Sequence, residues 1–251
     1  MFSFFRRRVV SQLQGYYRYP FIFMTACKWV APMSQAKFEL FQQSLDNLFN
    51  WLENKDVPKG HFISDQQISS GLLQTLKRGL GYQLTPVVIA NSLDLLIDIY
   101  PTVTVESART GIVHIGWYNQ FNIQEQNQHL DVFTSLEKCY PGLDVLNVGT
   151  SQQEWQSKEA LVFNETVSDF ISKHEQIMVS FDLSSMMQNS EINNYSQIDS
   201  DIKRLLGLCV KFEKLRVILL VAGSDRALYS RKTKVIYEGL KELAGQQLMH
   251  A

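Results

Sequence analysis

The sequence predicts an α/β protein: a Rossmann-like three-layer domain with a mostly parallel sheet over residues 101–251, preceded by an α-helical portion over 34–100 and a basic, aromatic segment over 1–33. Three observations carry this expectation. The runs "GIVHIGWY", "LDVLNVG", "QIMVSFDL" and "LRVILLVAG" are apolar at successive positions, as strands buried on both faces of a parallel sheet must be. Segments of helical period separate them, which is the pattern of right-handed βαβ units. Upstream, apolar residues recur at spacings of three and four rather than two, the period of an amphipathic helix.

Composition fits a soluble globular chain with a full core. Of 251 residues, 45% are apolar and 20% charged, ordinary values for one large domain or a domain with a helical appendage. Twenty-four basic residues against 25 acidic ones leave a formal charge of −1. The molecule as a whole therefore has no field to gather nucleic acid or acidic substrates, and such binding would need a local patch. Cys27, Cys139 and Cys209 lie far apart with no CxxC pair, which argues against a zinc knuckle and for free thiols in a reducing, cytoplasmic setting.

The first acidic residue is Glu39, and Arg6, Arg7 and Arg8 follow an aromatic start. That bias is expected of a targeting or membrane-surface segment; a strand or helix packed on the domain is the competing reading. No stretch reaches the roughly 20 apolar residues of a spanning helix. In "SQAKFELFQQSLDNLFNWLE", Phe38, Phe41, Leu45, Leu48, Phe49 and Leu52 form one stripe, so 35–53 reads as a helix with Ser34 as its cap. "NKDVPKG" reads as a turn. A second helix is expected after Ser64 or Asp65, ending at "RGLGY" on its two glycines. "TPVVIANSLDLLIDI" reads as a third, with Thr85 as cap and Pro86 in the first turn. Beyond it, strands at 111–117, 143–149, 176–183 and 215–223 alternate with helices at 126–139, 163–174, 198–212 and 230–245.

Ligands of open parallel sheets bind beyond the carboxyl ends of the strands, which here read "GWYNQFN", "NVGTSQQEW", "FDLSS" and "AGSDR". None carries GxGxxG, GxxxxGK[ST] or GxSxG, so the glycines that let phosphate approach the backbone, and the nucleophile elbow, are missing. Asp182 and Asp225 are the strand-end carboxylates. On neighbouring strands they would suit a magnesium ion or an acid–base pair, with Ser184, Ser185 and Ser224 as further oxygen donors. "DLSSM" approaches the DxSxS metal-site pattern of von Willebrand A domains and departs from it at Met186. Each aspartate is equally the residue type that caps a following helix.

Weaker candidates surround these. Gly223, Ser224 and Arg226, with Arg231, Lys232 and Lys234 close behind, have the composition of a phosphate or nucleic-acid contact and equally of a solvated helix face. Gly149 and Thr150 resemble a small phosphate-holding turn. Trp117, with Tyr118 and Phe121, supplies aromatics for stacking or for closing the core. His61, His114, His129 and His174 show no HxH or HExxH spacing, against a zinc hydrolase.

The function expected from this set is a non-catalytic binding or assembly component, without cofactor, whose partner is another protein or a second copy of the chain, with membrane-surface contact through 1–33. A metal- or phosphate-dependent enzyme using Asp182 and Asp225 is the alternative. A DNA-binding protein is a further one, because two helices and a possible hairpin at 65–117 have winged-helix order; its recognition helix, "TPVVIANSLDLL", would contain no lysine or arginine.

Overall fold

A computed structural model describes residues 21–28, 33–53, 59–64, 70–105, 107–116, 132–148, 160–188, 203–208, 214–222 and 238–240. Its centre is a seven-stranded, all-parallel sheet. In chain order the elements are β1 (Phe21–Lys28), α1 (Gln35–Glu53), β2 (Lys59–Ser64), α2 (Ser70–Gly81), β3 (Thr85–Ala90), α3 (Leu95–Val103), β4 (Thr110–Ile115), α4 (132–139), β5 (Leu143–Val148), α5 (Ala160–Lys173), β6 (Gln176–Asp182), α6 (Leu183–Gln188), α7 (203–208) and β7 (Leu215–Val221). Across the sheet the strands run β2-β1-β3-β7-β6-β4-β5.

Two apolar layers sandwich this sheet. One face packs Phe38, Phe41, Leu45 and Leu48 of α1, Val167 and Ile171 of α5, and Leu205 and Leu206 of α7 against Phe23, Val113, Val179 and Ile218. The other packs α2, α3 and α4, through Leu72, Leu76, Leu96, Ile99 and Phe133, against Met24, Val88, Ile112, Met178 and Leu219. Alternate strand residues thus enter opposite layers, as the period of two requires. Every residue of β6 is buried, as are all of β4, which is why their sequences show no polar alternation. The α/β three-layer class is as expected, and β4 to β7 fall within one or two residues of the expected strands.

The first hundred residues depart from expectation. Segment 34–100 is not a helical portion: β2 and β3 come from it, and β3 is hydrogen-bonded between β1 and β7 in the middle of the sheet. "TPVVIA" is a strand, because Val87, Val88 and Ile89 are buried on both faces; only after Ser92 and Asp94 does the chain turn into α3. Pairing with β7 begins at Val87, one residue after Pro86, so the missing N–H of the proline removes no bond from that ladder. The winged-helix reading ends here, since its recognition helix is a buried strand. Likewise, residues 21–28 of the basic aromatic segment form core strand β1, with Phe21, Phe23 and Met24 buried, and not a membrane-facing surface; residues 1–20 lie outside the described set. No helix among the described residues is long and apolar enough to cross a membrane.

The end of α2 also differs in its detail. Gln83, with φ 61°, takes the left-handed position, Leu84 N–H reaches back to Gly79 O at 2.9 Å, and Gln83 N–H to Leu80 O at 3.1 Å. That is a Schellman-type stop with glutamine where glycine is usual. Gly79 serves packing instead: a Cβ there would lie 3.0 Å from Ile22 Cγ2.

Candidate functional site at the carboxyl edge of the sheet

In an open parallel sheet a crevice forms where the connections leaving two adjacent strands pass to opposite faces. The described chain parts in this way at β2/β1, β1/β3, β6/β4 and β4/β5, and two of these places, β1/β3 and β4/β6, hold a buried Asn or Asp at the strand end. After β1 the chain passes to α1 on one face, and after the adjacent β3 to α3 on the other. After β4 it passes to α4, and after the adjacent β6 to α6 and α7 on the opposite face.

The β1/β3 crevice is closed by the protein itself. Asn91, buried, accepts from Lys28 N–H through Oδ1 at 2.9 Å and donates through Nδ2 to Lys28 O at 2.7 Å. Its amide thus continues the ladder one step past the end of β3. The Lys28 ammonium is paired with Asp98 of α3, and Ser92 Oγ donates to Asp94 Oδ2 at 2.5 Å.

The β4/β6 crevice is built from Asp182 and Gly116. Ile115 and Phe181 are paired in register, so the next residues, Gly116 and Asp182, stand side by side at the strand ends. Gly116 contributes no side chain, and its N–H is held by Val148 O at 3.2 Å. Asp182 is 2% exposed. Its Oδ1 accepts from the N–H groups of Ser184 and Ser185 at 3.0 and 3.1 Å, while Ser185 Oγ donates to Asp182 O at 3.0 Å. Asp182 therefore caps α6, one of the two readings its sequence context allowed, and does so at the crevice floor. Below it, on the same face of the sheet, His114 Nδ1 and Ser180 Oγ are 2.8 Å apart and buried, with the imidazole 5.0 Å from the Phe133 ring centroid. This polar pair lies inside the core.

Of the residues singled out from sequence, the structure describes Asp182 and Ser184 and brings them together with Ser185 on one turn. Asp225, Gly223, Ser224, Arg226, Trp117, Gly149 and Thr150 lie outside the described residues. The strands that lead to Asp182 and Asp225 are adjacent, with Asp182 in register with Val221. His61 falls in β2, and His174 lies at the opposite, amino end of the sheet. Cys27 is buried, and desolvation, with Asp46 adding to it, pushes its thiol up to about 12, so it is a packing residue and not a nucleophile. Lys28, Asn91, Asp94 and Asp98 were missed by the sequence reading, which ran "TPVVIANSLDLLIDI" together as one helix. Asn-Ser after an apolar, β-branched run was the available signal of a strand end.

Oxygen donors of the kind found here suit hard divalent cations. Among the described residues, however, no group of three or more His, Cys, Asp or Glu is arranged to hold a metal ion; Asp182 alone, with one oxygen engaged by two amides, does not make a site.

No family model matches the sequence, and no curated protein does. Solved structures do. The chain is similar to the Entamoeba histolytica arginase, solved with L-ornithine, at 15% identity and a TM-score of 0.54, over 90% of this chain and 99% of that one. The Bacillus subtilis arginase matches at 11% identity and a TM-score of 0.54, over 89% and 97%; the Bacillus caldovelox arginase at 9% and 0.51, over 89% and 97%. At these identities the likeness is one of fold, and it spans nearly the whole of both chains. It overturns the expectation of a non-catalytic binding or assembly component acting through protein–protein interaction: the three structures named above, which share this architecture over nearly their whole length, are arginases. The enzyme alternative, centred on the strand ends, is the reading that agrees with it.

Proposed function

We propose that the chain is a hydrolase working at the carboxyl edge of its sheet, in the β4/β6 crevice, with Asp182 at its floor. The observation that carries this reading is the arginase-like fold over 90% of the chain, joined to a buried carboxylate at a strand end where the connections of two adjacent strands part to opposite faces. Small guanidino compounds, arginine first, are the substrates this reading puts forward. It calls for a hard divalent cation, magnesium or manganese, with Asp182 and Asp225 as the carboxylates to hold it, since β6 and β7 are neighbours. When bound, such a cation would supply a lowered pKa to a coordinated water. What the chain's own residues supply is orientation: the amides of Ser184 and Ser185 fix the Asp182 carboxylate, and Gly116 leaves room beside it.

The test is urea and ammonia release from a panel of guanidino compounds by purified protein, in magnesium and in manganese, for wild type and Asp182→Asn. Asparagine keeps the Oδ1 acceptor, so the cap survives while the charge is removed. Turnover by wild type, reduced at least about a hundredfold in the variant, is the expected outcome, in the range for loss of a group acting on the reacting atoms. Absence of turnover across the panel by folded wild type, in either cation, overturns the proposal.

A further inference from the structure

At the amino end of the sheet, remote from the crevice, a buried histidine joins three elements. His174 follows α5 and is 2% exposed. Its Nδ1 lies 2.6 Å from Phe170 O, one of the last carbonyls of α5, and its Nε2 lies 2.8 Å from Asp144 Oδ2 on β5. Gly111 of β4 makes room for it: a Cβ there would fall 2.9 Å from His174 Cγ and 2.6 Å from Phe170 Cε1. A carbonyl oxygen cannot donate, and neither can an ionised carboxylate. Both contacts are therefore hydrogen bonds only when the ring carries a proton on each nitrogen.

The other charged groups facing this ring favour that state or are already paired. Arg109, leading into β4, bonds Asp144 Oδ2 through Nη2 at 2.8 Å. Glu175, leading into β6, accepts from Arg109 N–H through Oε2 at 2.9 Å. On α5, Lys173 and Asp169 pair with each other on the solvent side at 2.5 Å. Lys214, ahead of β7, donates to Ile171 O and Ser172 O at 3.0 and 3.2 Å, so the end of α5 is met by two side chains of basic type, as a helix carboxyl terminus favours. The hydrogen bonds from His174 and Arg109 hold the Asp144 carboxyl below its ordinary range.

We propose that the His174–Asp144 contact is a protonation-dependent latch that pins the edge strand β5, and with it the β4–β5 edge of the sheet, to α5. Among the described strands β5, like β2 at the other edge, pairs with a single neighbour, so a second anchor matters to it more than to an inner strand. With the ring doubly protonated, both anchors are made. With a proton missing from either nitrogen, one contact loses its donor and the edge loosens. On the acid side the sign follows from Asp144, whose carboxyl is lowered in the fold: its stabilisation is complete above the ordinary carboxylate value and is lost as pH falls through the lowered one.

The experiment is hydrogen exchange of backbone amides in β5 (143–148), against β7 (215–221) as internal reference, from pH 5.5 to 8.5 after correction for intrinsic exchange. Wild-type β5 should lose about fivefold or more of its protection relative to β7 as pH rises, consistent with loss of one hydrogen bond, and His174→Gln should flatten the profile. A β5 profile parallel to that of β7 in wild type, or one unchanged by the substitution, overturns the latch. Nitrogen-15 spectra of the wild-type imidazole give a second reading that needs no variant. Both His174 nitrogens protonated at pH 6 support the latch, and a neutral single tautomer there overturns it.

Discussion

At the β1/β3 crevice, Asn91 spends both ends of its amide on the backbone of Lys28, and the lysine side chain turns to Asp98. At the β4/β6 crevice the same position in the topology is taken by a carboxylate next to a glycine, with one Asp182 oxygen on two amides of its own following turn. Both are strand-end polar residues at switch points of one sheet. The first ties two strands together across 63 positions of sequence; the second caps the strand-to-helix turn that follows it. A switch point therefore does not mark a site by itself. What separates the two is what these bonds hold: strand to strand at Asn91, and a strand to its own following helix at Asp182.

That contrast can be strained from each side. Asn91→Leu strands the N–H and C=O of Lys28 in a partly buried setting, each at a cost of about 1 to 3 kcal/mol. Urea unfolding should show roughly 2 to 4 kcal/mol of lost stability with the slope unchanged. A loss below about 1 kcal/mol would mean that the β1/β3 crevice is open to water and that the two crevices are alike. At the small end, Gln83→Gly removes the left-handed strain of the stop after α2 and should stabilise by about 0.5 to 1 kcal/mol in the same assay. This change lies away from both crevices and should leave their behaviour untouched; destabilisation would show that Gln83 makes contacts worth more than its strain.

How much could be read in advance divides along the chain. β4 to β7 were legible because each is an apolar run bounded by a change of period, and burial on both faces leaves no other explanation for "QIMVSFD" or "LRVILLV". β1 was hidden by the basic, aromatic residues preceding it, which drew "FIFMTACK" into the reading of a peripheral segment. β3 was hidden by its six-residue length and by a connection of only four residues, 91–94, into α3. Thr-Pro before an apolar run is a helix start in isolation; only the flanking strands, far away in sequence, make it a strand. The site was partly legible for the same reason. Asp182 announces itself as a strand-end carboxylate, and its capping role is local. Asn91 acts on Lys28 across the sheet, a relation no window of sequence contains. Its importance is fixed by strand order, which periodicity does not encode.

We propose the β4/β6 crevice, with Asp182 in it, as the working end of the molecule. Thermal unfolding of wild type and Asp182→Asn, each alone and with manganese or magnesium plus L-arginine, tests it most directly. A ligand at a hundredfold excess over its dissociation constant adds about 2.7 kcal/mol to the native state, which is roughly 5 to 10 °C for a chain of this size. Such a shift in wild type, and its loss in the variant, is the expected result. Equal shifts in both proteins, or none in wild type, would contradict it.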